Sequence, residues 1–189
     1  SIAQWARDNG YTELFIPKAN EIEATLIDGV TFHLAATLSD LVVHINGGTP
    51  LPQSVFVPFT HAESSHTLDF GDVRGQMAAK RALTIAAAGG HNIVLYGPPG
   101  TGKTMLAKAF HGILPVPQSE HFLEVATIYS SVGLIDDAMN TPVPLRSPHH
   151  SASPVAIIGG GQSHIRPGDI TLAHRGVLYM DEFPEFDRR

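Results

Sequence analysis

One stretch of this chain constrains its fold more than any other: Gly97-Pro98-Pro99-Gly100-Thr101-Gly102-Lys103-Thr104. It fits G-x-x-x-x-G-K-[ST], the Walker A pattern. Glycines let the backbone wrap tightly, so that successive N–H groups converge on phosphate oxygens. In such a loop the lysine, Lys103, brings a point charge to the β- and γ-phosphates, and the threonine, Thr104, a hydroxyl to Mg²⁺. The flanks agree. Ile93-Val94-Leu95-Tyr96 is a short apolar run, predicted as a buried strand. Leu106, Ala109, Phe110 and Ile113 fall on one helical face. That helix opens at the phosphates, where its dipole favours negative charge, and Pro115 ends it.

A second motif lies about seventy residues downstream, near the usual separation. Val177-Leu178-Tyr179-Met180 is an apolar run that ends in Asp181-Glu182, the Walker B arrangement. It predicts two carboxylates at the carboxyl edge of a parallel sheet, where ligands bind in open α/β folds. Asp181 is expected to hold Mg²⁺ and Glu182 to act as general base on the attacking water.

Composition narrows the class. The chain has 189 residues, 43% hydrophobic and 16% charged, enough apolar content for a real core. A net charge of −6 argues against a wholesale electrostatic footprint for nucleic acid, though not against a local basic patch. With no cysteine, disulfides and thiolate metal sites are excluded. No apolar run approaches the length of a membrane span, and no signal segment opens the chain. The chain therefore reads as cytoplasmic, with no membrane partner. Ser1 and Arg189 both read as cuts.

Residues 1–46 read as (α)βαβα, the trailing part of an α/β domain. A helix closes at Asn9-Gly10, and Leu14-Phe15-Ile16 is a strand stopped by Pro17. Asn20 is the expected N-cap of a helix over Glu21 to Ile27, with Glu23 as capping-box acid. Val30 to Leu34 follows as a strand, then a helix through Leu38, Leu41, Val42 and Ile45. Residues 47–67, rich in proline, glycine and serine, read as a linker, with apolar Val55-Phe56-Val57 able to dock on a neighbour. Residues 68–189 read as the first part of a nucleotide-binding α/β domain. There, Ala79 to Ala86 is a helix stopped by Gly89-Gly90. Leu123 to Tyr129 is predicted as a strand, and Ser130 to Gly168 as irregular.

Three weaker signals remain. His149-His150 invites a metal site, but adjacent side chains do not converge on regular structure, and loop packing is the better reading. Gly159-Gly160-Gly161 fits a hairpin or turn better than a second phosphate nest. Arg146, Arg166 and Arg175 against Asp169 make a locally basic stretch that could touch DNA phosphates or a subunit.

Together the residues resemble the ComM/YifB group of magnesium-chelatase-related AAA+ ATPases. The resemblance is carried by Gly75-Gln76, Ala79 to Leu83, Ala86 to Asn92 and Gly97 to Ala107. Leu145 to Ser151, Gly159 to Gly161, Arg166 to His174 and Gly176 to Phe183 extend it. It spans about residues 68 to 189. Phe15 to Asn20 is similar to the end of the Lon-protease-like domain that precedes the ATPase in that group. The implied fold is thus an α/β P-loop AAA+ core, incomplete, behind a partial Lon-like segment.

The resemblance implies ATP and Mg²⁺ as cofactors. Nucleotide contacts would come from Gly97, Pro98, Pro99, Gly100, Thr101, Gly102, Lys103, Thr104 and Met105. Metal contacts would come from Thr104 and Asp181, and the catalytic groups would be Lys103 and Glu182. Asp72 and Val73 would lie near adenine. Leu145 to Gly168 would be an insertion directed toward a ring pore. The implied assembly is a homo-oligomeric, hexameric ring acting on DNA in branch migration. A chelatase-type motor with a protein and porphyrin partner is the alternative, and a nucleotide-binding module without turnover is a third. Sensor 1, the arginine finger and sensor 2 have no counterpart in this stretch, and no Ser–Lys protease dyad can be assigned.

Overall fold

The structure is a computed structural model that describes residues 2–58, 68–141, 143–161 and 165–186. The chain divides into two units, Ser1–Thr60 and His61–Arg189.

In the first unit, apolar Phe32 and Leu34 with polar His33 form the buried centre of strand β2 (Thr31–Ala35). It runs parallel to β1 (Glu13–Pro17), from Glu13 opposite Thr31 to Pro17 opposite Ala35. A parallel pair needs a crossover. Here a 3₁₀ turn (Lys18–Asn20) and helix α2 (Glu21–Thr25) supply it, after helix α1 (Ile2–Asp8) has buried Ala3 and Ala6. Helix α2 is two residues shorter than expected, and Asn20 does not cap it: its Nδ2 donates to Glu23 Oε1 at 3.3 Å instead. The capping box belongs to α3 (Leu38–Ile45), where Thr37 and Asp40 exchange side chain to backbone bonds of 3.2 and 2.9 Å.

The start of the proline-rich stretch belongs to this unit as well. Leu34 N–H donates to Pro52 and Ser54 N–H to Phe32, so this backbone lies antiparallel along the free edge of β2. Leu51 is buried, and Val57 N–H donates to Thr25. Residues 59–67 of the expected linker lie outside the described residues.

In the second unit, helix α4 (Met77–Gly89) and helix α5 (Lys103–His111) pack through Leu83, Leu106 and Ala109 onto Val73. Helix α4 stops at Gly90, which takes the left-handed conformation (φ 61°) and donates its N–H to Ala86. Two segments expected to be strands differ. Leu123 to Tyr129 lies within helix α6 (Ser119–Ser130), not a strand. Its buried residues Phe122, Val125, Ala126 and Tyr129 repeat at helical spacing, and Val125 and Tyr129 pack with Ala138 of α7 (Ile135–Asn140) and with Leu172. Ile93 to Tyr96 has no ladder partner among the described residues, and Val94 and Tyr96 are 89% and 101% exposed.

The stretch predicted as irregular is ordered by short elements. Strand β3 (Leu145–Arg146) leads through a loop to α8 (Pro154–Ile158) and β4 (Gly159–Gly160). The latter pairs antiparallel with β5 (Arg166–Pro167), a hairpin as expected at the glycine triplet. Helix α9 (Asp169–Leu172) then precedes β6 (Val177–Leu178), which lies parallel to β3 with Leu145 opposite Val177 and Arg146 opposite Leu178. Gly176 permits this approach: a Cβ there would overlap the carbonyl oxygen of Pro144. A short 3₁₀ turn (Phe183–Glu185) follows.

An ion-pair cluster joins α6 to the turn before β6. Glu124 receives Arg175 through two bonds of 2.7 and 3.0 Å and His174 Nε2 at 2.7 Å. The Arg175 guanidinium, then His174, hold the Glu124 carboxyl down at about 2, against 4.5 without them. A depressed carboxylate contributes stability that is present above its unfolded pKa and lost as pH falls through the folded one. Glu124→Gln is therefore expected to be less stable than the parent at neutral pH and to converge with it near pH 2. The effect should be modest, because the cluster is solvent-exposed. Thermal melts of both proteins across pH 2 to 7 measure it; parallel curves would show that the pair contributes nothing.

Candidate nucleotide-binding site

The glycine loop owes its path to two residues with positive φ, Gly100 (78°) and Gly102 (83°), a region where a Cβ is strained. Gly102 is the N-cap residue of α5, so the first residues of that helix, Lys103 and Thr104, leave the loop directly. Thr101 Oγ1 donates to the Pro98 carbonyl at 2.9 Å and closes the turn. Lys103 Nζ reaches back over the loop and donates to the carbonyls of Gly97 and Pro98, both at 2.9 Å. One cation thus neutralises two carbonyl dipoles at the end of the loop, beside the free N–H groups of a helix start.

Beside the loop is a cavity of about 350 Å³. Asp72, Val73, Arg74 and Gln76 line one side; Gly100, Thr101, Gly102 and Met105 line the other. Gln76 Nε2 donates to the Thr101 carbonyl at 3.2 Å, and Lys80 Nζ to the Val73 carbonyl. Val73 is buried against α4 and α5, so this wall is anchored to the core. The structure brings Asp72 and Val73 to the same cavity as the loop and Met105.

The two motifs meet at one bond. Thr104 Oγ1 donates to Asp181 Oδ2 at 3.2 Å across 77 residues of chain. Asp181 Oδ1 accepts the N–H of Glu182 at 3.0 Å. Glu182 itself has a left-handed backbone (φ 52°, ψ 42°), unusual for a residue with a side chain. Its Oε2 lies 3.2 Å from His150 Nδ1. Tyr179 also enters the site, a contribution the sequence did not reveal. Partial burial raises its hydroxyl pKa, with Thr104 lowering it and the Asp181 carboxylate raising it further. His111 Nε2 at the far end of α5 lies 2.7 Å from the Val143 carbonyl, which ties the helix to the start of β3.

Of the basic stretch, Arg146 is paired with Asp169 at 2.7 Å and Arg175 with Glu124, while Arg166 is exposed. His149 and His150 lie with their rings tilted, centroids 4.1 Å apart. Among the described residues no group of three or more His, Cys, Asp or Glu side chains could hold a metal. The oxygens of Thr104 and Asp181 are hard donors, the kind that suits Mg²⁺ held together with phosphate. Among the described residues no helix is long and apolar enough to cross a membrane.

Small parallel sheets with packed helices make this a mixed α/β fold, consistent with part of an AAA+-like ATPase domain. Residues 69–189 match the family described as magnesium chelatase, subunit ChlI, and the chain belongs to that family. It is 45% identical to the competence protein ComM of Haemophilus influenzae over 184 residues, 94% of this chain and 35% of that protein. It is 44% identical to the uncharacterized protein YifB of Escherichia coli over 178 residues, again 94% and 35%. The magnesium-chelatase 67 kDa subunit of Chlorobaculum parvum is more distant, 31% identical over 122 residues, 62% of this chain and 17% of that subunit. The chain spans about a third of the length of the ComM and YifB relatives.

Proposed function

We propose that the second unit binds ATP with Mg²⁺ and, assembled in a ring of identical subunits, hydrolyses it to remodel DNA in the manner of the ComM group. The observation that carries the nucleotide assignment is the Thr104–Asp181 bond, which sets the lysine-bearing loop and the carboxylate pair side by side. Lys103 and the loop N–H groups bind the phosphates, and the cavity between Val73 and Met105 takes the base. Thr104 and Asp181 would hold Mg²⁺, whose chemistry there is neutralisation of phosphate charge. Glu182 accepts a proton from the attacking water as its oxygen bonds to the γ-phosphorus and the bond to the β-phosphate oxygen breaks.

DNA as substrate rests on the likeness to the ComM group. A chelatase-type motor with a protein partner is the second reading, favoured by the family match over residues 69–189. ATPase assays on the full-length protein separate them. DNA is expected to raise the turnover rate severalfold; turnover indifferent to DNA would favour the protein partner, and no turnover at all would leave a nucleotide-binding module. Rings should appear as a large, ATP-dependent species in sedimentation.

A further inference from the structure

We propose that Gln76 is a positioning residue that sets the peptide between Thr101 and Gly102 for phosphate binding, a role that rests on the glycine loop being the phosphate site. Gln76 Nε2 donates to the Thr101 carbonyl at 3.2 Å, across 25 residues of chain. Both residues line the cavity beside the loop. A trans peptide is planar, and its C=O and N–H point opposite ways. A donor that holds the Thr101 carbonyl toward Gln76 therefore aims the Gly102 N–H the other way, toward the phosphates.

This peptide is the part of the loop that needs holding. The chain is tied on either side of it. Thr101 Oγ1 donates to the Pro98 carbonyl at 2.9 Å, and the Gly102 carbonyl accepts the Leu106 N–H at 2.9 Å. Between those ties the peptide turns over by changing ψ of Thr101 and φ of Gly102. Gly102 stands at φ 83°, and glycine takes either sign of φ with similar ease. Sterics alone therefore do little to stop the flip, and the bond from Gln76 does. Gln76 adopts a conformation that its own helix does not reward. It is the N-cap residue of α4, yet its side chain makes no capping bond; serine, threonine, asparagine and aspartate suit that position better. Its backbone is left-handed (φ 54°, ψ 35°), uncommon for a residue with a Cβ. The turn is fixed all the same. The Gln76 carbonyl accepts the Lys80 N–H at 2.9 Å, and Lys80 Nζ donates to the carbonyl of buried Val73. Strained backbone that persists in this way concentrates at ligand clamps.

Calorimetric titration of the full-length protein tests the role in the parent, Gln76→Asn, Gln76→Glu and Lys103→Ala. The probes are a non-hydrolysable ATP analogue and inorganic tripolyphosphate, each with Mg²⁺. Asparagine suits a left-handed N-cap, so the melting temperature of Gln76→Asn should hold or rise. Its amide is one bond too short to reach Thr101. Affinity for both probes is expected to fall by the same factor, about threefold to tenfold, the worth of one neutral hydrogen bond. Gln76→Glu keeps the length but only accepts, so it repels the Thr101 carbonyl; both affinities should fall more than about tenfold. Unchanged affinity in Gln76→Asn overturns the proposal. So does a loss confined to the ATP analogue, which would assign Gln76 to the base and not the loop. If Gln76→Glu fails to fold, Gln76→Asn decides alone. Unchanged affinity for both probes in Lys103→Ala overturns the loop assignment, and this role with it; lost affinity there beside parental affinity in Gln76→Asn overturns Gln76 alone.

Discussion

Replacing Lys103 with alanine is expected to lower ATP affinity about a hundredfold, enough to abolish binding at micromolar nucleotide. In the structure the Lys103 ammonium faces two carbonyl oxygens, those of Gly97 and Pro98. Its removal deletes a charge-assisted bond to phosphate, worth about 1.5 to 3 kcal/mol, or roughly ten- to a hundredfold in affinity. It also leaves two carbonyl dipoles unneutralised beside an anionic ligand, which pushes the loss to the upper end. Lys103 is half-buried at the first turn of α5 and lies outside the apolar core, so folding should survive. Calorimetric titration with a non-hydrolysable ATP analogue measures the change, with a melting curve as control. Unchanged affinity in a folded variant would remove the loop from the site.

Glu182→Gln separates binding from chemistry. Glutamine keeps the shape of the side chain, but it cannot take a proton at neutral pH. Loss of a general base costs about 10²- to 10⁴-fold in rate. The expected result in the full-length protein is therefore normal nucleotide affinity with turnover reduced by at least a hundredfold. The Thr104–Asp181 bond does not involve the substituted side chain, so the metal-binding oxygens are untouched. Turnover within a few fold of the parent would exclude Glu182 as base and turn attention to Asp181 or Tyr179.

Much of this arrangement was legible because it is local. Helices α4 and α5, the glycine loop and the strand residues of β2 are written in neighbouring residues, where spacing and turn chemistry act directly. Leu123 to Tyr129 shows how a local signal misleads. Val125, Thr127, Ile128 and Tyr129 favour a strand by residue type. Burial instead follows Phe122, Val125, Ala126 and Tyr129, a helical repeat that becomes visible only in a window opened back to Ser119. Asn20 misled differently: it had the residue type and spacing of a cap, yet its amide turned to Glu23. Strand β3 is two residues long, and its partner lies 32 positions away, too short and too distant for periodicity to detect. The same distance hid Tyr179 and the approach of His150 to Glu182, which depend on what the strand register places side by side.

Ile93 to Tyr96 has a consequence for the behaviour of this stretch of chain in solution. It is uncharged and rich in residues that favour extended backbone, and Val94 and Tyr96 stand in solvent. Its backbone has no ladder partner among the described residues. A segment of that kind is a template on which another extended chain can add, through main-chain bonds that ignore side-chain identity. An extended chain added there would lie at the point where the glycine loop begins.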